Sequence, residues 1–146
     1  MVEQNRNSSV ATGGHLVVRN NLSEIATATE ALEAFSRASE VPDGVIWRIQ
    51  LALEELLRNI ISHAYPDRGE HQVEIAFARD DTHVTTTISD DGIPFNPLNA
   101  PPPDLDAALE ERSIGGLGIH LARNVVDDFA YAWNGGRNVV TIRKRL

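Results

Sequence analysis

At Tyr65-Pro66-Asp67 the apolar period of this chain changes. Before it, Ile46, Ile49, Leu53, Leu56 and Ile60 recur at three- and four-residue intervals, marking one face of an amphipathic helix. Proline has no backbone N–H to donate and ends that helix. After it, Val73, Ile75 and Phe77 alternate with polar residues, as do Val84, Thr86 and Ile88. That alternation predicts strands at about 72–78 and 83–89, joined at Arg79-Asp80-Asp81-Thr82 as a half-buried antiparallel hairpin. A one-faced helix followed by a one-faced hairpin restricts the chain to helices packed on one side of a sheet.

The flanking segments extend this plan. His15 to Arg19 reads as a short strand, and Leu22 to Ser39 as a helix with Asn21 and Glu24 at capping-box spacing. Pro42-Asp43-Gly44 separates it from the next helix. From Ile93 to Ser113 the prolines forbid a regular ladder, although 105–111 has the character of a short helix. A connection this long inside a compact domain is often a functional lid, here expected at about 93–115. Leu117 to Val126 reads as a helix, and 129–133 with 138–143 as a hairpin around Asn134-Gly135-Gly136-Arg137. The fold class expected is α+β, a two-layer sandwich with a mainly antiparallel mixed sheet. Residues 1–13, rich in Asn, Ser and Gly, read as a disordered tail, and 14–146 as one domain.

Composition narrows the partners. The chain of 146 residues carries a formal charge of −8, an unfavourable footprint for a phosphate backbone, so no direct nucleic-acid contact is expected. No apolar run approaches the roughly 20 residues that span a bilayer, so no membrane contact is expected either. Residues 1–14 lack the apolar centre of a signal peptide. The absence of cysteine rules out disulfides and thiolate metal sites. These features favour the cytoplasm.

Three short segments carry the chemistry. Glu55 and Asn59 are i and i+4 on a helix, and so stack on one face with Ser62 and His63 one turn further. A carboxylate can accept a proton from a hydroxyl, and an amide oxygen is a neutral, hard ligand suited to Mg²⁺. Glu54 and Arg58 have the same spacing, about 100° around the helix, so periodicity does not choose which glutamate serves a site and which forms an ion pair. Asp90-Asp91-Gly92 ends a strand in a turn, where Asp90 can accept from an exocyclic amine and Gly92 admits close backbone approach. Gly115-Gly116-Leu117-Gly118 precedes a helix, and its exposed amides at a helix N-terminus suit a phosphate. A turn, a hinge and a polar helix face give the same patterns when each is taken alone. The five histidines show no paired ligand spacing of the H-x-x-x-H type.

Taken in order, Glu55-x-x-x-Asn59, Asp90-x-Gly92-Ile93-Pro94-Phe95 and Gly116-x-Gly118 resemble the N box and the two glycine boxes of the GHKL ATPase superfamily. Within it the chain is most similar to stand-alone anti-sigma factor serine kinases, including the His63-Ala64-Tyr65 ending of the first element. The resemblance implies the Bergerat fold, binding ATP or ADP with Mg²⁺. It implies Glu55, not Glu54, as general base, Asn59 as Mg²⁺ ligand and Asp90 as adenine contact. His63, Ile93, Pro94 and Phe95, together with the glycines Gly92, Gly115, Gly116 and Gly118 and with Leu117, would line the nucleotide pocket. The partners implied are an anti-sigma-factor antagonist as protein substrate, a sigma factor, and a second copy in a homodimer. One departure is clear: Gly136-Arg137-Asn138 stands where family members often carry Gly-Thr, so by the resemblance Asn138 is expected to supply the polar contact instead. Two alternatives differ in class: a nucleotide-responsive binding module with little kinase activity, and ATP hydrolysis within a larger machine.

Overall fold

The computed structural model describes residues 12–99 and 114–146. Strand β1 (Thr12–Arg19) leads to helices α1 (Glu24–Ala38) and α2 (Asp43–His63), then strands β2 (Gln72–Arg79) and β3 (His83–Asp90). After a short 3₁₀ turn at Pro97–Asn99 come α3 (Ile114–Val125), β4 (Asp128–Asn134) and β5 (Arg137–Arg145). The sheet has the order β1-β2-β3-β5-β4, and all four pairings are antiparallel. The α+β sandwich is as expected, and the sheet is antiparallel throughout among the described residues.

Burial explains the layering. Val73, Ile75 and Phe77 of β2, Val84 and Ile88 of β3, and Val140 and Ile142 of β5 turn one face to the core. Leu32 and Phe35 of α1, with Ile49, Leu53, Leu56, Leu57 and Ile60 of α2, close it from the other side. Phe35 and Phe77 meet across the layers with ring centroids 5.5 Å apart. Each fully buried Leu or Ile contributes about 1.5–3 kcal/mol relative to exposure. Of the helices described, none is long and apolar enough to cross a membrane.

Two details differ from expectation. β1 begins at Thr12, inside the tail expected to run through residue 13, because β2 extends to Arg79 and offers partners to Thr12 and Gly13. The rest of that tail lies outside the described residues, as do residues 100–113 of the expected lid and its short helix. No capping box forms at α1. The Asn21 carboxamide oxygen accepts the Ser23 N–H at 3.0 Å, while Glu24 reaches back to the Arg19 N–H at 2.9 Å. The β4–β5 hairpin turns where Gly135 and Gly136 have φ of +61° and +78°, the left-handed pair that a two-residue turn of this twist requires.

Candidate nucleotide site

The site begins where α2 ends. Ala64, buried just beyond the helix, accepts the Ile93 N–H on its carbonyl at 2.9 Å. This bond draws the turn after β3 against the end of α2. Gly92 sits in the contact: a Cβ there would fall 2.5 Å from both the Cβ and the carbonyl oxygen of Ala64. Next along the chain, the Tyr65 hydroxyl donates to Asp91 Oδ1 at 3.0 Å. Its ring stacks on His71 at 4.1 Å, and His71 Nε2 lies 2.9 Å from Asp67 Oδ2. Burial, followed by the nearby Asp90 charge, pushes the Tyr65 phenol above its ordinary value.

Asp90 ends β3 and is 3% exposed. Burial raises its carboxyl above the ordinary aspartate value, against two hydrogen bonds that favour the carboxylate. Both fall on Oδ1: Asn138 Nδ2 donates at 3.0 Å and the Gly92 N–H at 2.9 Å. Asn138, on β5, is the register partner of Asp90. It also donates to the Ile93 carbonyl at 2.9 Å, and its Oδ1 accepts the Phe95 N–H at 2.9 Å and the Tyr131 hydroxyl at 2.6 Å. The backbones of Ile93 and Phe95 are thereby fixed, while their side chains are exposed.

Along α2, Glu55 and Asn59 stand one turn apart, both half-buried. Arg58 Nη1 donates to Glu55 Oε2 at 2.7 Å, an i,i+3 pair. Glu54 instead accepts from the Gln50 amide at 3.1 Å. Of the two glutamates that periodicity left equivalent, the ion-paired one is thus Glu55. The Asn59 carboxamide has no hydrogen-bond partner among the described residues. His63 is the last residue of α2 and exposed. No cluster of three or more His, Cys, Asp or Glu that could hold a metal occurs among the described residues.

The glycine run departs from expectation. It does not precede the helix but lies in it: α3 starts at Ile114, so Gly115, Gly116 and Leu117 occupy its first turn and Gly118 follows. Glycine costs about 1 kcal/mol relative to alanine in a helix interior, which is why the sequence suggests a later start. At Gly118 the cost has a visible reason. A Cβ there would lie 2.3 Å from Glu55 Oε1, so α3 rests directly on that carboxylate. The first-turn amides of α3 have no intrahelical acceptors, as at any helix start.

Two clusters result: Glu55 rests against Gly118 where α2 meets α3, and Asp90, Gly92 and Asn138 bond to one another at the end of β3, a turn tied to the end of α2 through Ala64. Sequence reasoning missed three participants: Arg58 as partner of Glu55, Tyr131 as donor to Asn138, and Ala64 as backbone anchor. Arg58 was visible as an i,i+3 neighbour of Glu55; the other two depend on register and on a tertiary bond. A groove of about 340 Å³ elsewhere, between β1 and α1, is lined by Gly13, Gly14, Phe35, Phe77 and neighbours, with no carboxylate among them.

The model of the histidine kinase-like ATPase domain matches residues 18–144. The serine/threonine-protein kinase BtrW of Bordetella bronchiseptica is 25% identical over 134 residues, covering 81% of this chain and 94% of that protein. The serine-protein kinase RsbW of Listeria monocytogenes is 24% identical over 96 residues, covering 63% of this chain and 61% of that protein. A crystal structure of RsbU and RsbW domains from Mycobacterium tuberculosis superposes with a TM-score of 0.66 at 18% identity. That match covers 92% of this chain but 32% of the solved one, a likeness of fold.

Proposed function

The chain belongs to the histidine kinase-like ATPase domain family, and on that premise we propose that it is an ATP-dependent protein-serine kinase acting as an anti-sigma factor. It phosphorylates a serine of an anti-sigma-factor antagonist and exchanges that partner for a sigma factor. It works as a cytoplasmic homodimer. The observation that carries this reading is the junction of α2 with the β3 turn: the helix bearing Glu55 and Asn59 is bonded through Ala64 to the loop that follows Asp90. The proposed base and metal ligand thus sit on the helix whose end is tied to the turn following the proposed nucleobase carboxylate. The serine kinase names of two relatives support the same chemistry.

Catalysis of phosphoryl transfer is mostly positioning and electrostatics. The serine Oγ bonds to the γ-phosphorus, its proton passes to the Glu55 carboxylate, and the bond from γ-phosphorus to the β–γ bridging oxygen breaks, leaving ADP. The Asn59 amide oxygen would hold Mg²⁺, which would supply charge neutralisation for the phosphates. Asp90 accepts from the adenine amino group, and Gly92, pressed against Ala64, holds the turn beside it in place. The free amides of the first turn of α3 would donate to the phosphates.

Incubation with γ-labelled ATP and the candidate antagonist tests this. Phosphoserine on the antagonist, lost in Glu55→Gln, is expected; ATP binding without phosphoserine would sink the kinase assignment. One observation favours the second reading, a nucleotide-responsive binder with little kinase activity: Glu55 is already engaged by Arg58 at 2.7 Å.

A further inference from the structure

Asn138 is buried, at 4% exposure, directly beside the carboxylate assigned to the nucleobase. A side-chain amide offers two N–H donors and two acceptor lone pairs. In this protein all four are used internally. The two N–H groups go to Asp90 Oδ1 and the Ile93 carbonyl, at 3.0 and 2.9 Å. The two lone pairs receive the Phe95 N–H and the Tyr131 hydroxyl, at 2.9 and 2.6 Å. The orientation is fixed by its neighbours, because a flipped amide would set its oxygen against a carboxylate and a carbonyl. Asn138 has nothing left to offer a ligand.

We infer that Asn138 is a positioning residue for the nucleobase and not a contact to it: by occupying Asp90 Oδ1, it leaves Oδ2 as the carboxylate's one acceptor for a ligand amine. The Gly92 N–H shares Oδ1 at 2.9 Å, and no described residue donates to Oδ2. The same amide locks the backbone of Ile93 and Phe95, so the carboxylate and the loop beside it are held as one unit. An acceptor fixed in this way selects a purine that carries an amino group at the 6-position and disfavours one with a carbonyl there. This inference rests on the nucleotide reading given above, and it moves Asn138 from the pocket lining to its support.

The test is a comparison of two ligands on three proteins. ADP and purine-riboside diphosphate, which lacks only the 6-amino group, are titrated calorimetrically against the wild-type chain, Asn138→Thr and Tyr131→Phe. The wild-type protein is expected to prefer ADP by about tenfold, the loss that follows from one unmet charged hydrogen bond. In Asn138→Thr the affinity for ADP falls toward that for the deamino analogue, whose own affinity is unchanged. Tyr131→Phe, which removes one donor and retains the ring, moves the ratio the same way by a smaller factor. An equal loss for both ligands overturns the inference, because it marks a direct contact or a general packing role. An Asn138→Thr chain that retains full discrimination overturns it as well. Equal wild-type affinity for the two ligands is a different result: it removes the assignment of Asp90 to the nucleobase. Should Asn138→Thr fail to fold by circular dichroism, the Tyr131→Phe ratio decides alone.

Discussion

Gly118 of α3 lies under the carboxylate of Glu55 on α2: a methyl at residue 118 would fall 2.3 Å from Glu55 Oε1 and 3.2 Å from its Cδ. The helices approach at a point where only glycine leaves room for the glutamate. The carboxylate is a flexible side-chain end, so it can swing aside, and alanine gains about 1 kcal/mol of helix propensity over glycine. Gly118→Ala is therefore expected to keep its melting temperature near wild type while losing at least about tenfold in phosphotransfer, since a misplaced base forfeits orientation. Thermal unfolding and single-turnover kinetics together check it; an equally active Gly118→Ala would show that the Glu55 position is immaterial.

Gly92 presents the opposite case. Its hypothetical methyl meets the carbonyl oxygen and Cβ of Ala64, at 2.5 Å each, and neither can rotate away. Gly92→Ala should lose about 1–3 kcal/mol of stability through overpacking. It should also lose ADP affinity, because the Ala64–Ile93 bond that sets the turn must lengthen. Urea unfolding and a nucleotide titration read the two effects separately.

Asp90→Asn separates stability from binding. In the wild-type protein burial raises the Asp90 carboxyl above its unfolded value. The folded state then holds a proton that the unfolded state has lost, at pH between the two values, and stability falls as pH rises through the folded value. The amide variant keeps an acceptor for Asn138 and Gly92 and carries no charge to desolvate. It is expected to be at least as stable as wild type at pH 7, with the gap closing as pH falls toward about 4. The 6-amino group would meet an N–H in place of an oxygen, so ADP affinity is expected to fall by at least about tenfold. Melting curves from pH 4 to 8 follow the first effect and calorimetry the second.

Arg58→Gln tests what the guanidinium does at Glu55. The pair is open to solvent on the arginine side, where the side chain is 40% exposed, so its loss should change stability by less than about 1 kcal/mol. With Oε2 released, turnover of the protein substrate should rise a few-fold with KM for ATP unchanged, if the pair restrains the base in the resting chain. A fall in turnover would instead make Arg58 an aid to phosphate or substrate.

How much of this could be read in advance follows from the physics of each element. α2 and the β2–β3 hairpin were legible because Ile46 to Ile60 and Val73 to Ile88 carry unbroken periods of helix and strand. The start of β1 at Thr12 was not, because Gly13 and Gly14 have low strand propensity and are held by pairing with Ala78 and Phe77. The start of α3 was hidden for a related reason: its glycines oppose local helix formation, and the one described in contact, Gly118, is tolerated for its approach to Glu55. At the site, Glu55 and Asn59 could be paired by spacing, and Asp90 with Gly92 by turn chemistry. The choice of Glu55 over Glu54 came only from resemblance. The engagement of Asn138 required the β3–β5 register, which joins residues 48 positions apart.

β3, which carries Asp90 at its end, is the middle strand of the five, bonded on one side to β2 and on the other to β5. Its amide protons should therefore exchange only when the whole domain opens, with no cheaper local route. A ligand that grips the end of this strand stabilises the folded state against that global opening, by RT ln(1 + [L]/Kd). Occupancy of the proposed nucleobase site at Asp90 would thus be converted directly into protection of the central strand, where hydrogen exchange can measure it residue by residue.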